Sequence, residues 1–115
     1  MILKQMLDHS SQLDRVFHAL SDPTRRALFE RLCREGGLPV HDLTAGAGVS
    51  QPAVSKHLGM LRAAGLVTAE VQGRETFYRA DPRALAPLAE WLADSATFWS
   101  ARLDALGDLL KRMDQ

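Results

Sequence analysis

Cysteine is all but missing from this chain. Cys33 stands alone, so no disulfide can close within it, which fits a reducing compartment. Long apolar runs are missing too. No stretch approaches the roughly 18 to 20 consecutive apolar residues of a membrane span, and the N-terminus has no basic segment leading into an apolar stretch and a cleavage site. These absences predict a cytoplasmic protein with no membrane partner. Catalytic signatures are equally scarce: there is no glycine-rich phosphate loop, no recognisable pair of carboxylates, and no serine or cysteine nucleophile with a convincing base. The expectation is no enzyme, no catalytic residue and no cofactor. An excess of charge of either sign is also lacking, since fourteen basic residues balance fourteen acidic ones. The distribution is more telling. Residues 50–80 carry four positive and two negative side chains, residues 81–115 four and six, and affinity for phosphates depends on where positive charge faces rather than on the total.

What is present is enough apolar material, 46% of 115 residues, for one packed core, so a single domain spanning 1–115 is expected. Over residues 7–20, Leu13, Val16, Phe17 and Leu20 form an amphipathic helical stripe. Asp22 followed by Pro23 starts a second helix, in which Ala27, Leu28, Leu32 and Cys33 make the inward face and Gly36 with Gly37 the stop. Pro39 opens a brief third helix with Val40 and Leu43 turned inward. Ser50 caps a fourth, in which Ala53, Val54, His57, Leu58 and Leu61 recur at three- and four-residue steps until Gly65. LVTAEV and TFYRA then read as two short strands around QGRE, where Gly73 supplies a positive φ. Leu92, Ala96, Trp99, Leu103, Leu106 and Leu110 form a heptad-like seam on a last helix, preceded by Leu85 and Leu88. The expected fold class is mainly α with a small β-hairpin wing, in the order α-α-α-α-β-β-α, which is that of a winged helix-turn-helix.

The fourth helix is where function enters. Its apolar face leaves Gln51, Ser55, Lys56 and Arg62 pointing outward. Glutamine pairs bidentately with an adenine edge, serine and lysine reach phosphates or bases, and the Ser50 end brings free amide hydrogens and a positive dipole. Gly59 keeps that surface flat, Arg74 at the wing tip is placed to enter a minor groove, and Arg79 adds a phosphate contact from the second strand. The competing reading of such a face is an ordinary solvated helix surface, and that of the wing a plain surface hairpin. Their succession favours double-stranded DNA as the partner.

SDPTRRALFERL (Ser21 to Leu32), VSQPAVSKHLGMLRAAGLV (Val49 to Val67) and GRETFYR (Gly73 to Arg79) resemble the ArsR family of bacterial repressors over nearly the whole chain. The resemblance implies repression, a homodimer, the fourth helix as recognition helix, and the first and last helices as dimer interface. It adds Ser50 and His57 to the DNA-contacting set with Gln51, Ser55, Lys56 and Arg74. The interface would then draw on Leu13, Phe17, Leu88, Trp91, Leu92, Trp99, Leu103 and Leu106, on a stripe too large for a small domain to cover by itself. Two copies would read a palindromic operator. One departure matters: where metal-sensing members carry a Cys-x-Cys pair, this chain has Val40, His41, Asp42 and Leu43, and no histidine follows His57, so no metal site is expected. His41 with Asp42 reads as surface polarity rather than half of a metal site, His18 as either seam or polar face, and His9 as unremarkable. Cys33 reads as a small core residue, with a redox switch as the alternative. Nothing specifies an effector. A winged helix that docks on protein without touching DNA, and a sensor of metal or redox state, are the rival functions.

Overall fold

Asp22 and Pro23 start a helix as their chemistry dictates. The Asp22 carboxylate accepts from the backbone N–H of Thr24 at 2.9 Å and of Arg25 at 3.1 Å, and Pro23 occupies the first turn, where no intrahelical N–H is required. The computed structural model describes the backbone of residues 2–114 and the side chains of residues 11–114. His9 lies outside the described side chains. The element order is α1 (Ile2–Ser21), α2 (Pro23–Glu35), β1 (Leu38–Pro39), α3 (Val40–Thr44), α4 (Gln51–Ala63), β2 (Val67–Gln72), β3 (Glu75–Ala80), a 3-10 turn (Pro82–Leu85) and α5 (Ala86–Met113). The fold is a winged helix-turn-helix, mainly helical with a small antiparallel sheet.

The core draws on every helix but the last. Val16 and Ala19 of α1, Leu28, Phe29 and Leu32 of α2, Leu43 of α3, and Val54, Leu58 and Leu61 of α4 are buried together with Leu66 and Val67. Full burial of a leucine or valine stabilises by about 1.5–3 kcal/mol, and Leu43, Val54, Leu58 and Leu61 are completely covered. They hold α3 and α4 to the body, which fixes the helix-turn-helix.

The inward face of α2 corrects the sequence reading. Ala27 and Cys33 are exposed, and the buried positions are Arg25, Leu28, Phe29 and Leu32. Those four follow the three-one-three spacing of a helical stripe, but an arginine takes its first place, so apolar pattern alone rotates the face the wrong way. The predicted helix end holds: Gly36 adopts φ 84° and its N–H donates to Leu32 O at 3.1 Å.

The wing is broader than a hairpin. β3 pairs antiparallel with β2, Val67 opposite Ala80 through Gln72 opposite Glu75, and on its other edge with β1, Leu38 opposite Tyr78 and Pro39 opposite Phe77. Pro39 therefore does not sit inside α3; it ends the edge strand and precedes the helix, a place where its missing donor costs no ladder bond. Gly73 has φ 64° and is followed directly by Arg74, the arrangement that a two-residue turn between right-twisted strands favours.

Of the described side chains of α5, only Pro87 is buried. Trp91, Leu92, Phe98, Trp99, Leu103, Leu106, Leu109, Leu110 and Met113 are each at least 46% exposed. Its start is anchored by a T-shaped contact between Trp91 and Phe17 of α1, centroids 5.4 Å apart, and by Leu88, half-buried against the core. No described helix is long and apolar enough to cross a membrane.

Candidate nucleic-acid interface

The α4 helix divides as its sequence demands. Val54, Leu58 and Leu61 face the core with no exposed surface, and this leaves Gln51, Ser55, Lys56 and Arg62 on the exposed side. Ser50 caps the helix: its hydroxyl oxygen accepts from Ala53 N–H at 3.3 Å, and because Pro52 has no N–H, Gln51 supplies the remaining first-turn amide donor, turned along the helix axis. A side chain added at Gly59 would meet nothing within 4 Å, so the middle of this face is low and open.

The α3–α4 turn is held from behind by Arg31. Its Nη1 donates to Asp42 O at 2.9 Å and to Ala45 O at 3.1 Å, while its Nε donates to Glu35 at 2.6 Å. These carbonyls end a five-residue helix and have no partner inside it, and a cation there also suits the negative end of the helix dipole.

Wing and recognition helix share one groove. Gln51 and Arg74 line an opening of about 230 Å³ together with Pro39, Val40, His41, Glu75 and Thr76. His41 of α3 bridges to the wing, with Nδ1 3.3 Å from Glu75 Oε1, and its Nε2 lies 3.1 Å from Oδ1 of the adjacent Asp42. A neutral ring donates from only one nitrogen at a time, and only the contact with Glu75 ties α3 to the wing. Arg74 is thus exposed beside the first turn of α4 rather than remote from it. Arg79 is exposed as well, but it lies opposite Thr68 near the base of the wing, and its guanidinium runs along Gly37.

His57 differs from its neighbours. It is half-buried, and its Nδ1 lies 3.3 Å from Arg25 Nη1. Arg25 is 7% exposed; its Nη1 also reaches Met60 Sδ at 3.2 Å, Nε donates to Ala19 O at 2.8 Å, and Nη2 to His18 O at 3.4 Å. One buried guanidinium therefore joins the last turn of α1 to α4. The apolar pattern of α2 gave no sign of it.

Cys33 is exposed, and partial desolvation of its sulfur, aided by the Glu30 carboxylate, pushes the thiol pKa up. That disfavours the thiolate on which a redox switch depends. Among the described residues no three histidine, cysteine, aspartate or glutamate side chains gather where a metal ion could be held.

Residues 20–70 match the family model described as a helix-turn-helix domain. The chain is 41% identical over 97 residues to the HTH-type transcriptional regulator Rv2034 of Mycobacterium tuberculosis, covering 84% of this chain and 87% of that one. Among solved structures it is similar to the ArsR-like transcriptional regulator from Rhodococcus sp. RHA1, with TM-score 0.71 and 36% identity over 87% of this chain and 93% of that one. It is also similar to the homodimeric winged helix-turn-helix DNA-binding domain of Mb0332 from Mycobacterium bovis, with TM-score 0.62 and 26% identity over 82% and 83% of the two chains. The fold, the capped helix over its buried strip and these likenesses agree, and the chain belongs to the ArsR family of winged helix-turn-helix transcriptional regulators.

Proposed function

We propose that this protein is a cytoplasmic repressor that binds a palindromic operator as a homodimer, with 1–115 acting as one DNA-binding domain. The observation that carries the reading is the juxtaposition of Gln51, on the exposed face of a helix whose other side is fully buried, with Arg74 at the wing tip in the same groove. Gln51 reads a base edge in the major groove, Ser50, Ser55 and Lys56 hold the flanking backbone, and Arg74 enters the neighbouring minor groove. Arg62 and Arg79 reach phosphates at the margins of each half-site. Pairing follows the homodimeric Mycobacterium bovis neighbour: Leu13, Phe17, Trp91, Leu92, Trp99, Leu103 and Leu106 face the second copy, with Leu88 linking that surface to the core. Such a dimer sets two recognition helices about one turn of DNA apart, and occupancy of a promoter blocks transcription.

Selection of bound sequences from random duplexes with purified protein is the test. The expected outcome is an inverted repeat with half-sites about 10 base pairs apart. Recovery of no enriched sequence at low salt, by protein that remains dimeric, sinks the proposal. Replacing Gln51 and Lys56 by alanine separates a repressor from a protein-docking module, because only the repressor loses its effect in the cell.

A further inference from the structure

Arg25 touches the recognition helix at the atom of His57 that decides what the ring offers to a ligand. A guanidinium has five N–H donors and no acceptor. Nδ1 of His57, 3.3 Å from Arg25 Nη1, completes a hydrogen bond only as an acceptor, which places the ring proton on Nε2. Arg25 is not free to turn away: it is buried, and three further contacts, to Ala19 O, His18 O and Met60 Sδ, hold the same guanidinium. Met60 lies three residues beyond His57 on α4, so both gripped side chains share one edge of the helix.

Imidazole is rigid, with its two nitrogens on either side of Cε1. A ring whose Nδ1 faces an inward cation therefore turns Nε2 toward the open side, and His57 is only half-buried, next to the exposed Ser55 and Lys56. We propose that Arg25 is a positioning residue for DNA binding, engaging the Nδ1 lone pair of His57 so that its Nε2–H is presented as a fixed donor to a phosphate oxygen beside the Lys56 contact. This rests on the DNA-binding reading above. Orientation of a histidine by the partner of its other nitrogen is general chemistry; here the partner is a cation, which dictates a lone pair rather than a proton.

The ring state is read by nitrogen–proton correlation NMR of the histidine side chains in free wild-type protein at neutral pH, with the His57 signals assigned by their loss in His57→Gln. The expected pattern is the neutral Nε2–H form. An Nδ1–H ring, a rapidly averaging ring or an imidazolium overturns the role of Arg25 even if the protein binds DNA. Affinity for the selected operator gives the second arm. His57→Gln carries its amide nitrogen near the Nε2 position and should bind within about twofold of wild type, whereas His57→Asn carries it near Nδ1 and should lose roughly tenfold, the worth of one hydrogen bond. Equal losses in the two variants overturn the phosphate contact. Failure of wild-type protein to bind any duplex overturns the DNA-binding reading and the phosphate contact with it, while the NMR pattern still decides what Arg25 does to the ring. Arg25→Met should release the ring to a mixture of forms; should that variant fail to fold, the wild-type spectrum remains decisive.

Discussion

At the scale of single residues, the chemistry of capping and burial is sharp enough to give numbers and signs. Leu58 has no exposed surface and sits where α4 meets the core, so Leu58→Ala should cost about 2–5 kcal/mol of stability, read as a lower denaturation midpoint with an unchanged slope. Asp22 gives a pH signature. The N–H of Arg25 first, and then that of Thr24, hold its carboxyl below the ordinary value of 3.8. A depressed carboxyl pKa contributes stability that is present above the unfolded value and lost as pH falls through the folded one. The stability gap between wild type and Asp22→Ala should therefore be full near neutrality and close below pH 3.8, as measured by thermal melts across an acid series. A constant gap would mean that the cap contributes through something other than its charge. Legibility at this scale was uneven. Asp22 was readable because a cap and a following proline are local signals. Arg25 was not, because burial of a cation depends on carbonyls of α1 and a histidine on α4, which no window of sequence contains. Cys33 was misplaced by the same error, since accepting Arg25 as inward rotates the buried face of α2 away from it.

Elements of secondary structure were the most legible layer. The α4 face was readable because Val54, Leu58 and Leu61 leave little choice of inward direction, and the wing because Gly73 marks its turn. The third strand was not, because Leu38 and Pro39 are too few to display alternation and their pairing with Tyr78 and Phe77 is long-range. Function at this scale divides between helix and wing. Gln51→Ala should relax preference at one base position of each half-site, with a loss of about 1–3 kcal/mol against the preferred base and little loss against others, measured by competition with single-base operator variants. A uniform loss across all sequences would instead assign Gln51 to the backbone. Gly73→Ala places a Cβ at φ 64°, and the strain of a left-handed residue should cost about 1–2 kcal/mol while leaving the α4 face intact. Operator binding should then weaken through the wing alone, so that base preference at the Gln51 position survives.

The whole molecule poses a problem that the monomer does not solve. Helix α5 runs for 28 residues, about 42 Å at 1.5 Å per residue, and its large apolar side chains stay exposed along nearly all of that length. Water-exposed stripes of this extent mark an interface, and two-fold pairing covers the same stripe on both copies. Because Leu103 and Leu106 contribute nothing to the buried core, Leu103→Asp with Leu106→Asp should separate the copies without unfolding the domain. Sedimentation should show a monomer with helical content near that of wild type. The sharper readout is salt dependence. Lys56, Arg62, Arg74 and Arg79 are exposed on each copy, and every phosphate they neutralise contributes about −0.9 to the slope of log affinity against log salt. A dimer engages two half-sites and a monomer one, so the slope for the double variant should be half that of wild type, whereas damage confined to the binding face would lower affinity without halving it. An undiminished slope in a demonstrably monomeric variant would mean that α5 pairs the protein for some purpose other than holding two recognition helices on one duplex.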